Sequence, residues 1–337
     1  MNRWSGTRLA VTLICCAAAV VGVGAACMFF GSTADNSWAV LNIRRQTVGD
    51  AALIGAALAA AGVAYQAVLR NPLADPYLLG VSSGATLAAY LWRLPIFAAA
   101  MGAVGITADA IGPQAAAMFG ALVAVTVVLG IAGARGRIEP VTLLLVGVIV
   151  NAVNGSILVL IYKLVFDLPG SGGSFAFLVG GIQQTISHGQ RMGAVTLVAM
   201  AWIVLLYISG ELNAAGLDDA EAEALGVRIH RLRWIALIAA SLATAAAVAI
   251  SGPIGFVGLV CPHIGRLLVG SDQRRLLPVS TTLGAILLMV GDAISRYLAA
   301  QNRLGTKIEV GVLTGLIGGP FFLWLLFHSR RRGFVSR

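Results

Sequence analysis

From Trp234 to Gly265 the chain runs 32 residues without an Asp, Glu, Lys or Arg. About 20 apolar residues of helix suffice to cross a bilayer core roughly 30 Å thick, so this run exceeds one ordinary span. Gly252-Pro253 supplies a break inside it, because proline has no N–H to give and crowds the preceding turn. The stretch therefore reads as a full span followed by a shorter one.

Comparable runs fill the rest of the sequence: Leu9 to Ala34, Ala51 to Leu69, Pro76 to Trp92, Ala110 to Ala134, Pro140 to Tyr162, Met192 to Gly210, Leu276 to about Leu298, and Val310 to Phe327. With the broken stretch they give ten spans in one transmembrane domain covering 1–337. The fold class expected is all-α and polytopic. A chain that is 58% hydrophobic and 11% charged is excluded from the water-soluble globular class. The first run, behind Arg3 and Arg8, reads as an uncleaved helix rather than a signal peptide. Its apolar character continues through Met28-Phe29-Phe30, and Gly24-Ala25-Ala26-Cys27 lacks the aliphatic residue of a lipoprotein cleavage site.

Charge orients the spans. Treating residues 94–108 as a loop, with the N-terminus inside, places 15 of the 23 Lys+Arg on the cytoplasmic side and 8 outside. Counting that segment as a span inverts the ratio, against the positive-inside rule. Both termini are then expected on the cytoplasmic side. The formal net charge of +9 belongs to these loops, and no basic stripe with interleaved aromatics points to nucleic acid.

At an offset of 190 residues Gly62, Leu69, Pro72, Leu78 and Gly80 meet Gly252, Leu259, Pro262, Leu268 and Gly270. An offset of five spans reverses direction across the membrane, so spans two to five and seven to ten are expected to form an inverted repeat.

The most charged loop lies at 211–233. Within it Leu217, Asp218, Asp219, Ala220, Glu221, Ala222, Glu223, Ala224, Leu225 and Gly226 predict a short helix. Asp218 with Glu221 has the spacing of a capping box, the acids sit at the positive end of the helix dipole, and Gly226 suits the C-terminal cap. Leu217, Ala220, Ala224 and Leu225 give it an apolar face. Either a solvated surface helix or a docking element for a cytoplasmic partner fits.

Three further stretches carry a resemblance. Asn71-Pro72-Leu73-Ala74-Asp75-Pro76-Tyr77-Leu78-Leu79-Gly80, Gly252-Pro253-Ile254-Gly255-Phe256 through Cys261-Pro262-His263-Ile264-Gly265-Arg266, and Gly311 to Phe322 resemble the signatures of FecCD-type permeases of bacterial ABC importers. The resemblance extends over nearly the whole chain. It implies ten helices per subunit, a pathway enclosed with a second permease subunit (a homodimer expected), and two ATP-binding cassette subunits that use ATP and Mg. An extracytoplasmic binding protein would deliver an iron-siderophore complex, haem or cobalamin, with ferric siderophore the first choice. This chain would carry no cofactor and no enzymatic activity. By the same resemblance the 217–226 segment seats in the ATPase, Asn71 and Leu73 close a cytoplasmic gate, and Arg44 and Arg296 dock the binding protein. Ile43-Arg44-Arg45-Gln46-Thr47 departs from the family's pattern there by lacking its proline and second arginine, and Arg45 is the residue placed to replace the latter.

Other chemistries find little support. Cys15, Cys16, Cys27 and Cys261 lie in apolar stretches without ligand spacing, and Cys261-Pro262-His263 has no second Cys/His pair. No GxxxxGK[ST] loop is present, so free energy for transport must come from elsewhere. An ion-coupled transporter would need an ionisable group deep in a span, whereas Asp50 and Asp109 fall at span edges and Asp292 toward the external half of the ninth. No nucleophile, base and metal set suggests a membrane enzyme.

Overall fold

The computed structural model describes residues 6–30, 37–92, 94, 97, 113–134, 140–165, 180–182, 186–217, 219–301 and 308–331. Among these there is no strand. The elements are α1 (Gly6–Phe29), α2 (Trp38–Val68), the 3-10 turn η1 (Pro76–Leu79), α3 (Val81–Trp92), α4 (Pro113–Gly133), α5 (Pro140–Val165), α6 (His188–Ala215), α7 (Asp219–Ala224), α8 (Ile229–Ser251), α9 (Val257–Val269), α10 (Gln273–Gln301) and α11 (Val310–Arg331).

Seven helices, α1, α2, α4, α5, α6, α8 and α10, are long and apolar enough to cross a membrane. α3 and α9 have 12 and 13 residues, about 18 and 20 Å of helix, and are too short to do so alone. The break expected at Gly252-Pro253 is present: α8 stops at Ser251, a non-helical segment follows, and α9 begins only at Val257. The third expected span is likewise divided into η1 and α3.

α2 starts at Trp38, 13 residues before the apolar run that announces it, and so takes Arg44, Arg45 and Asp50 into the helix. It can do so because the polar groups that turn inward are paired. Arg191, in the first turn of α6, grips Asp50 through both carboxylate oxygens at 2.8 and 2.9 Å. A capping box between Ser187 and Gln190 starts α6 and so fixes that arginine in place.

α2 is the central post, with α6, α8, α9 and α10 packed around it. Small residues let the backbones meet. A Cβ on Gly55 would lie 2.0 Å from the Gly284 carbonyl oxygen of α10, and one on Gly62 would lie 2.0 Å from the Gly258 carbonyl oxygen of α9. Such close crossings replace the hydrophobic drive that lipid cannot supply between helices. At the periphery, α1 and α5 bury almost nothing of their apolar windows and expose Ile14, Val21, Leu145, Ile149 and Leu160, an apolar surface suited to lipid rather than water.

Candidate functional site

The expected loop helix forms as α7, six residues long, with Asp218 outside the described residues. Its C-terminus closes in a Schellman motif: Gly226 adopts φ +80°, its N–H donates to Glu223 O at 2.9 Å, and the Val227 N–H donates to Ala222 O at 3.1 Å. The apolar side chains do not bury as an amphipathic helix would predict. Only Ala222 is buried, while Leu217 and Leu225 are 39% and 63% exposed beside exposed Glu221, Glu223 and Ala220. The helix thus shows carboxylates outward, with an exposed leucine flanking it on each side.

Asp219 anchors the helix. Its carboxylate takes two hydrogen bonds from Arg233 of α8, at 2.7 and 3.1 Å, and one from Arg70 at 2.6 Å. Partial burial alone would raise its pKa, but the hydrogen bonds and charges of Arg233 and Arg70 outweigh this and hold the carboxyl below its ordinary value.

Arg70 leads directly into the Asn-Pro-Leu turn. It sits just past α2 at φ +49°, a left-handed conformation uncommon for a residue with a side chain. The next residue, Asn71, accepts the Leu73 N–H on Oδ1 at 2.9 Å, and its carbonyl accepts the Ala74 N–H at 3.1 Å. The turn continues to Asp75, which caps η1 by accepting the Tyr77 N–H at 2.9 Å. Its other oxygen accepts the N–H of Phe256, itself left-handed at φ +69° in the non-helical segment before α9, at 3.1 Å. Burial pushes the Asp75 carboxyl up to about 6, against these two backbone donors, which favour the anion.

Gln66 ties the same turn to α9. Pro262 has no N–H for the Gly258 carbonyl one turn back, and Gln66 Nε2 donates to that carbonyl at 3.1 Å instead. The same amide nitrogen donates to Ala74 O at 3.3 Å, and Gln66 Oε1 accepts from Arg266 at 2.5 Å. Two cavities flank this assembly and share Tyr77 and Pro253 in their walls. One, of about 510 Å³, is lined by Leu73, Asp75, Phe256, Leu259, Gly311 and Phe322 among others. The other, of about 370 Å³, is lined by Ser82, Ser83, Thr86, Asn151 and Asn154 on α3 and α5.

The candidate docking arginines lie at the other end of α2, where Arg44 is about 39 Å from Arg70 along the helix. The three differ in exposure. Arg45 is exposed and donates to Asn42 at 3.0 Å. Arg44 and Arg296 are only 5% and 9% exposed. Arg44 donates to Met28 O at 3.3 Å, while Arg296 donates to Phe30 O at 2.9 Å, Cys27 O at 3.2 Å and Asp292 at 2.8 Å. Both guanidinium groups thus cap the C-terminus of α1, where carbonyls and the helix dipole favour cations.

Sequence reasoning missed Arg70, Gln66, Asp75 and Arg233 as functional residues. Pro262 was the available signal for Gln66, since it guarantees an orphan carbonyl that some donor must meet. Among the described residues no three His, Cys, Asp or Glu side chains gather as a metal site; Cys261 is buried, and His263 packs edge-on against Phe321 at 6.0 Å between ring centroids.

Residues 8–328 match the FecCD transport family. This chain belongs to that family. The cobalamin import system permease protein BtuC of Halobacterium salinarum is 38% identical over 306 residues, covering 90% of this chain and 77% of the relative. The hemin transport system permease protein HmuU of Yersinia pestis is 36% identical over 307 residues, covering 89% and 87%. Among solved structures, an inward-facing conformation assigned to a metal-chelate type ABC transporter superposes with TM-score 0.77 at 26% identity, covering 95% of this chain and 99% of that one. With its apolar helices, family membership makes the chain an integral membrane protein.

Proposed function

We propose that this chain is the permease subunit of an ATP-driven, binding-protein-dependent importer that carries a metal chelate across a bacterial inner membrane. One observation carries the reading: the outward-facing α7 is tied through Asp219 and Arg70 to the Asn71–Asp75 turn, which forms one wall of the 510 Å³ cavity. Movement imposed on α7 from outside the chain has a path to that wall. In this proposal α7 and the turn are cytoplasmic, as are both termini, and ten spans cross the membrane, α3 and α9 completing theirs with η1 and the 252–256 segment. Spans two to five and seven to ten then form the inverted repeat.

Leu217, Asp218, Asp219, Ala220, Glu221, Glu223, Leu225 and Gly226 form the element that seats in an ATP-binding cassette subunit, where ATP and Mg act. Two such subunits serve a permease homodimer, and closure of the pair favours one orientation of the bundle. Asn71 and Leu73 form the inner gate. On the far side Arg45 meets the binding protein, while Arg44 and Arg296 hold the surface it stands on.

The cavity walls support one order among the cargoes. Their described side chains are hydroxyl, amide, aromatic and aliphatic with one carboxylate and no cation, which suits a chelate presenting amide or hydroxamate oxygens rather than free carboxylates. Ferric siderophore is the cargo proposed first, cobalamin is compatible with the same lining, and haem, with its propionates, is the weaker fit.

Affinity purification of the native complex, with identification of its subunits and bound chelate, tests the proposal. A co-purifying ATP-binding cassette subunit and an iron, cobalt or haem chelate are expected. A permease that purifies with no nucleotide-binding partner contradicts it.

A further inference from the structure

Three elements meet at Arg70. Its backbone closes α2, its Nε donates to the Ala215 carbonyl at the end of α6 at 2.8 Å, and its terminal NH2 donates to Asp219 on α7 at 2.6 Å. The backbone stays left-handed at φ +49° although nothing about the side chain favours it. Arg233 donates to both carboxylate oxygens of Asp219, sharing Oδ1 with Arg70, so α7 is clamped between α8 and the end of α2.

From the residue after Arg70 onward the turn is braced internally, by Asn71 Oδ1 on the Leu73 N–H and by Gln66 on Ala74 O. Asp75 then passes the connection to the Phe256 N–H. We infer that Arg70 is a positioning residue, a rigid strut through which displacement of α7 moves the Asn71–Asp75 turn and, with it, the non-helical segment before α9. The inference rests on the proposed ATPase-coupling role of α7. It adds that the fork of the guanidinium, not its charge, does the transmitting: a lysine ammonium is a point donor that cannot hold the Ala215 carbonyl and the Asp219 carboxylate in one plane.

The test uses the full permease with its ATP-binding cassette partner in proteoliposomes, its four cysteines replaced by alanine and Leu73→Cys introduced as a reporter. N-ethylmaleimide labelling of residue 73 is timed with Mg-ATP and with Mg-ADP. In the Arg70 parent the two rates are expected to differ about tenfold. Arg70→Asn keeps the backbone, because asparagine tolerates the left-handed region, and removes the strut. It is expected to retain assembly and ATP hydrolysis while the nucleotide-dependent difference falls below twofold, and Arg70→Lys is expected to behave like Arg70→Asn. A full nucleotide response in Arg70→Asn, or its full recovery in Arg70→Lys, overturns the strut alone. Absence of any nucleotide response in the parent overturns the coupling role on which it rests.

Discussion

Asp75 and Phe256 are joined by a 3.1 Å hydrogen bond across 181 residues of sequence, carboxylate to backbone N–H. The bond links the two places where the helical core is interrupted, the turn after α2 and the segment before α9. The groups freed around the second interruption, Phe256 N–H and Gly258 O, are met by Asp75 and Gln66 from the first half of the chain, while the turn's own groups are met locally by Asn71, Gln66 and Asp75.

Titration of Asp75 should be visible in stability. Its folded value, about 6, lies above the ordinary 3.8, so the stability it contributes is complete below about pH 4 and is lost as pH rises through 6. Thermal unfolding in detergent should therefore show wild type losing ground to Asp75→Asn between pH 4 and 6.5, with the two parallel above that. Curves that stay parallel across the whole range would show that burial does not hold the proton there.

Gly226→Ala should weaken α7 through the backbone alone. Nothing lies within 4 Å of an added Cβ, but φ +80° costs an alanine about 1–2 kcal/mol. Binding of the ATPase subunit, measured by titration on nanodiscs, should fall about tenfold, and Gly226→Asn should recover much of it. Equal affinity for the wild type and the Gly226→Ala variant would mean α7 does not dock in its capped form.

Charge reversal of Glu221 and Glu223 to lysine should abolish ATPase stimulation by loaded binding protein while leaving the fold intact, because both side chains are exposed. Retained stimulation, measured as phosphate release, would place the coupling surface elsewhere.

Arg296→Ala and Arg45→Glu should separate holding from docking. Removing Arg296 leaves the fully buried Asp292 without that partner, a loss of about 3–5 kcal/mol, and should lower Tm sharply. Arg45→Glu should leave Tm unchanged and slow association of the binding protein several-fold at low salt. The opposite pattern would return the docking role to Arg296.

Much of this was legible in the chain. Gly252-Pro253 announced its break because glycine and proline act through the backbone wherever they stand, and Gly226 announced the end of α7 for the same reason. The reach of α2 was hidden because Arg44, Arg45 and Asp50 look like loop residues until Arg191, 141 residues away, is seen to pair with Asp50. The left-handed Arg70 and Phe256 carry no local signal at all, and the groups they bond to, Asp219, Ala215 and Asp75, lie more than 140 residues away in sequence. The exposure of Leu217 and Leu225, on either side of α7, was equally hidden, because periodicity tells which residues share a face but not what that face meets.

Uptake into proteoliposomes containing this permease with its co-purified ATP-binding cassette subunit, loaded binding protein and Mg-ATP is the most direct measure of the account. Accumulation that requires all of these and stops when the ATPase subunit is omitted is the predicted result. Accumulation without that subunit, driven by a proton or sodium gradient, would contradict it.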